Sequence, residues 1–458
     1  MVQGGHETGS LSGSVPWHRR TWVYVAAGFA LVGVVAVVGY YAFGRTERPF
    51  VALTTVAATP YRGDPVGTGI EADRGYFAYQ DDKGELHLRA VDLATGKTQE
   101  QTGGRAHDWQ RFSAHPTGLV IYAAHATGTD KTLHVYDPTT LEEVYAERVT
   151  ADTWHFFVGE RLIRVEPERR RLVWIDPHAQ TEVGEAPYGS SFYRVGNWSD
   201  EKVAGDLLGH RFQQEYPDNR LVTMTSDGTM RVLSAENGQQ RKETTIPALR
   251  KVDRAVAYQG LFFVAGPVSD GEGWQVVGHD IDKLTERPVY ADERDGVRPE
   301  RMEPCGEAYL CVLTSAAELV VVDFKSGQKV WSRPLARPAA LATIVPVGNR
   351  IMVSYRDGGT AYTVLYDLDG TLVRRSQGWG APIDTGSVLL FPDDVATVNN
   401  GRTSLTDAVI GVQLRGIGAQ TGAETDIGAA NVNPATCSWD AAYLLCAGST
   451  RLLVHRFR

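Results

Sequence analysis

From residue 50 onward the chain alternates between short apolar segments and clusters of turn formers. Gly75-Tyr76-Phe77-Ala78-Tyr79, Gly118-Leu119-Val120-Ile121-Tyr122, Leu221-Val222-Thr223-Met224 and Gly260-Leu261-Phe262-Phe263-Val264 are typical. Long stretches with a helical period are missing, so the pattern predicts an all-β body. Within many segments the apolar residues run continuously instead of alternating with polar ones. Strands packed on both faces read that way.

A second pattern is laid over the first. A strand ends on an acidic or polar residue and a tight polar turn follows, as in Val91-Asp92-Leu93-Ala94-Thr95-Gly96-Lys97, Tyr136-Asp137-Pro138-Thr139-Thr140 and Ile175-Asp176-Pro177-His178. Equivalent positions fall at 92, 137, 176, 234, 280, 323, 367, 418 and 456, about 45 residues apart on average. A period of about 40–50 residues with several short strands per unit marks a β-propeller. The expected body is a ring of about eight four-stranded blades, within a range of seven to nine. The irregular stretch at 381–430 is the weakest unit, read as an irregular segment or an insertion. The turn is expected to join the third strand of a blade to the outermost one, with the acidic side chain accepting from backbone amides. The chain ends at Arg458, just after a third strand, while residues 49–56 have no unit of their own. They are expected to supply the missing outer strand and close the ring, which removes exposed sheet edges.

The other pronounced apolar run lies ahead of the body. Residues 21–44 carry no charge. About 22 helical residues span about 33 Å, enough for a hydrocarbon core of about 30 Å. Trp17, Trp22 and Tyr24 stand near one end, and Tyr40, Tyr41 and Phe43 near the other, as interfacial aromatic belts do. The run is too long for a usual signal-peptide core, although a cleaved signal is the alternative. The reading is a 1–20 cytoplasmic tail without structure, a 21–44 transmembrane helix that places the chain in a lipid bilayer, and a 45–458 propeller domain.

Arg19 and Arg20 precede this run and Arg45 and Arg48 follow it, so flanking charge barely sets its orientation. The four cysteines help. Cys305 and Cys311 flank a turn-prone stretch and an apolar run, and Cys437 and Cys446 repeat the arrangement, with Ala308-Tyr309-Leu310 matching Ala442-Tyr443-Leu444. Zinc and redox motifs need closer spacing. Two local disulfides within hairpins are the reading, with buried thiols as the alternative. Disulfides imply an oxidising compartment, hence a propeller outside the cytoplasm.

Composition changes the picture in one respect. The chain of 458 residues has a formal net charge of −9, with +2 in residues 1–48 and −11 in the rest. An acidic body repels phosphate backbones, so nucleic acid is excluded as an expected partner.

The segment Val322-Asp323-Phe324-Lys325-Ser326-Gly327-Gln328-Lys329-Val330-Trp331, and less closely Val91 to Lys97, resembles the repeat of the PQQ-like β-propeller family. That family includes quinoprotein alcohol dehydrogenases and BamB-type scaffolds. The resemblance covers residues 50–458 and carries blade architecture, not activity. The adjacent cysteine pair of the quinoproteins has no counterpart here, and their metal site and catalytic Asp match no position. No cofactor, metal or catalytic residue is therefore expected.

Other candidates have plain readings. Asp367-Leu368-Asp369-Gly370 lacks the remaining ligands of a calcium loop and falls on the repeated turn. Asp393, Asp394 and the 269–273 segment read as polar loops, and Asn197-Trp198-Ser199 as a chance sequon. His107, His115 and His125 match no zinc spacing. The longest step, 176 to 234, holds an insertion in which Leu207, Leu208, Phe212 and Tyr216 are candidate anchors for a partner; a loop packed on its own blade is the alternative. The expected function is a single-pass, membrane-anchored, extracytoplasmic scaffold that binds a protein or envelope component. An enzyme built on blade-top loops, such as a degenerate quinoprotein-type oxidoreductase, is the alternative, and a small-ligand or sugar-binding module is a third.

Overall fold

The computed structural model describes residues 49–189, 191–196, 205–206, 219–225, 227–246, 252–268, 273–335, 343–393, 396–399, 402–405 and 408–458. The chain divides into two compact units, 1–47 and 48–458, and the described residues belong to the second. No helix among them is long and apolar enough to cross a membrane. The expected span at 21–44, Asn197 and the four anchors Leu207, Leu208, Phe212 and Tyr216 lie outside the described residues.

Among the described residues the strands fall into nine antiparallel four-stranded units. Blades 1 to 7 occupy 64–105, 108–149, 154–187, 191–245, 254–292, 299–334 and 343–377. Blade 8 occupies 379–432, and blade 9 takes 433–456 together with Thr54–Pro60. The count sits at the upper end of the expected range. The irregular stretch at 381–430 is itself a blade, with the hairpin Ala396–Asn399 and Arg402–Leu405 inserted between its second and third strands.

The cores explain why the strands are apolar on both faces. Nine buried clusters occur, one at each blade-to-blade interface around the ring. In blade 3, Val173 and Ile175 pack toward blade 2, while Leu172 and Trp174 pack toward blade 4. Alternate residues of one strand thus enter two different cores, as the period of two requires.

The repeated turn behaves as its composition predicts. The Oδ1 of Asp92 accepts from the Thr95 amide at 2.7 Å, that of Asp137 from Thr139 and Thr140 at 2.8 Å, and that of Asp280 from Lys283 at 2.7 Å. Each such turn joins a third strand to a fourth. Its last residue takes the left-handed conformation, filled by Gly96, Gly238, Gly327, Gly370 and Gly422, but by Leu141, Gln180 and Leu284 in three blades.

A segment near residue 50 closes the ring as expected, but the closing strand is Thr54–Pro60, further along than the expected 49–56. Thr54–Pro60 pairs antiparallel with Arg451–Arg456, with Thr54 opposite Arg456 and Pro60 opposite Arg451. Blade 9 then packs on blade 1 through Leu445, Leu452 and Val454 against Ile70, Phe77 and Val91. Phe50 lies over Gly416, 6.2 Å from the Phe457 ring, with the Arg458 guanidinium 4.6 Å above it.

Candidate functional site on the face of blades 1 and 2

Blade 1 turns from its second to its third strand through Asp81-Asp82-Lys83-Gly84-Glu85. The Asp81 carboxylate accepts from the amides of Glu85 at 2.8 Å and Lys83 at 2.9 Å. Those bonds, that from Glu85 foremost, hold Asp81 below the ordinary carboxylate range. Gly84 has φ +78° and an added Cβ would stand 2.6 Å from the Ala106 carbonyl oxygen, so the turn admits no other residue without strain. Blade 2 fixes the turn from outside: the Trp109 indole N–H donates to the Gly84 carbonyl at 3.2 Å.

Beside this turn, a cleft of about 490 Å³ opens between the starts of the two innermost strands. Asp64, Gln80, His107, Asp108, Trp109 and Gln110 line it. Its polar wall is internally braced. Gln80 Oε1 accepts from the Trp109 amide at 3.1 Å, Gln80 Nε2 donates to the His107 carbonyl at 3.3 Å, and Gln110 donates to Asp108. The side chains presenting polarity are thus held in place before anything binds.

A charged cluster continues from the turn along the third strand. Glu85 and His87 are two residues apart on Glu85–Asp92 and so share a face. The His87 ring stacks on Tyr79, centroids 4.7 Å apart and planes 9° from parallel. Glu100, on the outermost strand, accepts from Arg89 at 2.6 Å and from the Tyr79 hydroxyl at 2.7 Å. Burial pushes the Glu100 carboxyl up, but these two bonds and the Arg89 charge outweigh it and leave it low. The Tyr79 hydroxyl is raised by burial and by Glu100. Donor atoms of Asp81, Glu85 and His87 all lie within 4.8 Å of one another.

The residues singled out in the sequence are distributed otherwise. Cys305 and Cys311 form one disulfide and Cys437 and Cys446 the other, all buried, each tying the innermost strand of a blade to the second. His107 lines the cleft, His115 stacks on Phe157 at 4.7 Å, and His125 meets Thr132 Oγ1 at 3.1 Å. These three do not converge. Asp367 to Gly370 is a turn: the Asp367 amide donates to the Thr371 carbonyl, and Arg350 holds the Asp367 carboxylate at 2.7 Å. Asp393 accepts from the Ala361 amide at 2.6 Å, as a loop brace. Within the long insertion, Gly205–Asp206 pairs antiparallel with Trp439 and Ser438, on the free edge of the innermost strand of blade 9. These two described residues of the insertion thus lie away from blade 4.

A second cleft, of about 450 Å³, lies on the opposite face between blades 5 and 6. Of its charges, Asp280 caps its turn, Asp282 pairs with Arg220 at 2.8 Å, and Lys325 pairs with Glu307 at 3.4 Å.

No family model and no curated protein matches the sequence. Solved structures do. A eukaryotic initiation factor is similar over 82% of this chain and 90% of its own, with 13% identity and a TM-score of 0.52. BamB from Moraxella catarrhalis is similar over 76% and 97%, with 12% identity and a TM-score of 0.42. Sqt1 from Saccharomyces cerevisiae is similar over 82% and 99%, with 11% identity and a TM-score of 0.42. At such identities the likeness to the initiation factor concerns the fold alone, and the fold is a β-propeller.

Proposed function

We propose that this chain is a membrane-tethered, extracytoplasmic β-propeller that works as a protein-binding scaffold. The observation that carries the reading is the braced, acid-lined cleft at the mouth of blades 1 and 2 on a ring closed by its own two ends. A closed ring offers a rigid face whose loops are free to vary, and polar groups fixed beforehand lower the entropy lost on binding. Asp64 and Asp108 at the cleft suit a partner segment that presents a basic side chain. The tether rests on the uncharged 21–44 run, and the compartment on the two cysteine pairs.

Photo-crosslinking in intact cells tests the reading. A crosslinking side chain replaces His107 or Gln110 at the cleft, and Thr139 or Glu236 on the turns of the opposite face. The expected result is one recurrent polypeptide adduct from the cleft positions alone. Adducts of equal yield from both faces, or none from the cleft, would overturn the scaffold reading. Maleimide alkylation in denaturant of acid-quenched cells, before and after reduction, tests the compartment: the cysteines should react only after reduction.

A further inference from the structure

The turn of blade 1 brings an imidazole and three carboxylates together. His87 stands between carboxylates on both sides. Its Nδ1 is 3.3 Å from Glu100 Oε1, and its Nε2 is 3.7 Å from Asp81 Oδ2. The Glu85 carboxylate converges on the same space. An imidazole can turn one lone pair to a cation while its other nitrogen keeps the N–H, so a cation seated here would meet nitrogen and oxygen donors together. The spacing suits one. Two donors each about 2.1 Å from a zinc ion and at the tetrahedral angle are about 3.4 Å apart. The observed 3.7 Å is too long for a hydrogen bond and close to that value.

We propose that Asp81, Glu85 and His87 bind a divalent transition-metal ion of the zinc type, with Glu100 holding the far nitrogen of His87. Nε2 and one oxygen from each of the two carboxylates are the ligands, and a further position is left for water or an incoming group. With the metal on Nε2, the Nδ1–H would face Glu100 Oε1, 3.3 Å away, where a metal-bound histidine usually finds its orienting carboxylate. An imidazole ligand disfavours calcium and magnesium, which take oxygen donors. The charge fits. Asp81, Glu85 and Glu100 bring three negative charges, against Arg89 on Glu100 and an Arg105 guanidinium 3.9 Å from Glu85. The ligands are also set in advance: the turn is pinned by Gly84 and Trp109, and the ring by Tyr79. The proposal stands on blade 1 alone and does not depend on the scaffold reading.

The test uses the full-length chain in detergent, stripped with chelator and titrated with zinc chloride in a calorimeter. Parallel arms contain calcium or magnesium chloride. One equivalent of zinc should bind, with no comparable heat from calcium or magnesium. Glu85→Gln and His87→Asn should each weaken it by tenfold or more, and Glu100→Gln by about tenfold to a hundredfold through the orienting contact. Circular dichroism of each variant should match that of the parent. Absence of saturable zinc binding, equal binding of calcium, or binding indifferent to Glu85→Gln and His87→Asn would overturn the proposal. A second measurement needs no variant. Zinc should protect His87, and not His125, from diethyl pyrocarbonate, mapped by mass spectrometry. Equal modification of His87 with and without zinc would count against the site.

Discussion

At the scale of single residues, the tightest constraints sit where the turn of one blade meets the indole of the preceding one. Trp174 donates its N–H to the Ala235 carbonyl at 2.7 Å, and Trp331 donates to Leu368 at 2.8 Å. The residue that ends each of these turns, Gly238 or Gly370, lies flat on the ring. A Cβ added at Gly238 would stand 2.5 Å from the Trp174 ring, at a φ of +71°. Gly238→Ala therefore combines a left-handed penalty of about 1–2 kcal/mol with overpacking of about 1–3 kcal/mol. A loss of about 2–5 kcal/mol is expected in denaturant unfolding. Trp174→Phe, which removes only the indole N–H and some ring area, should lose less. If Gly238→Ala unfolds at the parent midpoint, the contact between turn and indole is not a constraint. Two histidines add a pH dependence. Burial holds His455 down at about 4, and burial with the Arg164 charge holds His155 at about 3, against an ordinary value of 6.5. A depressed histidine binds its proton in the unfolded chain first. Stability is thus complete above the ordinary value and falls as pH drops from about 6.5 toward 4. For His455, whose Nδ1 meets Thr55 Oγ1 at 3.2 Å on the closing strand, the loss is about 3 kcal/mol. Thermal melts of His455→Gln should show a flatter slope between pH 6.5 and 4 than the parent. An unchanged slope would mean that His455 is not the titrating group.

Elements were the most legible scale in the sequence, and for a physical reason. All nine positions read as strand ends fall within a residue of the end of a third strand; at Asp137, Asp176, Asp280 and Asp323 the reason is local turn chemistry, one carboxylate accepting from two amides. The cysteine hairpins were legible on the same ground, since a short turn brings two neighbouring strands together: Cys437 and Cys446 lie one step beyond the Ser438–Leu445 pair, while Cys311 stands opposite Glu303 and Cys305 falls at the bulge between Pro304 and Gly306. Their disulfides close rings of sequence separation 6 and 9. Each should contribute about 2–3 kcal/mol on the loop-entropy account. Cys437→Ser with Cys446→Ser should lower the melting temperature more than Cys305→Ser with Cys311→Ser. Blade 9 has only the closing strand to complete it, whereas blade 6 holds all four of its strands in sequence. Equal shifts would show that position in the ring does not matter. The cluster of Asp81, Glu85 and His87 was not legible. Its signal is an alternation of Glu and His on one strand face, and the Asp joins only through a turn whose geometry depends on Trp109 of the next blade. Attention to histidine spacing alone led to His107, His115 and His125, which go to three separate places. The pairing of Gly205–Asp206 with blade 9 was illegible for a similar reason, because it depends on where that blade stands in the ring.

At the scale of the whole molecule, the ring is only as cooperative as its closure. Eight blades form from contiguous sequence, and the ninth needs a strand from the opposite end of the chain. Without Thr54–Pro60, the backbone edge of Arg451–Arg456 is unpaired, and an open edge beside an apolar core is a template for another chain. Phe50 and its contacts with Gly416, Phe457 and Arg458 would be lost as well. The cost would not stay in blade 9, because that blade supplies Leu445, Leu452 and Val454 to the core it shares with blade 1. Exposing one interface leaves the neighbouring blades with one dry face instead of two, and each blade depends on its neighbours for burial. A chain begun at Arg62 should therefore associate or precipitate and melt well below the parent, with a broadened transition. A synthetic peptide covering residues 49–61 should restore both the sharp transition and the monomeric state, since the missing strand binds by edge pairing and side-chain seating. Size-exclusion chromatography and calorimetry, with and without peptide, check this. A truncated chain that stays monomeric and melts with the parent would mean that the nine interfaces hold the ring without the strand, and that closure by the two ends is incidental to its stability.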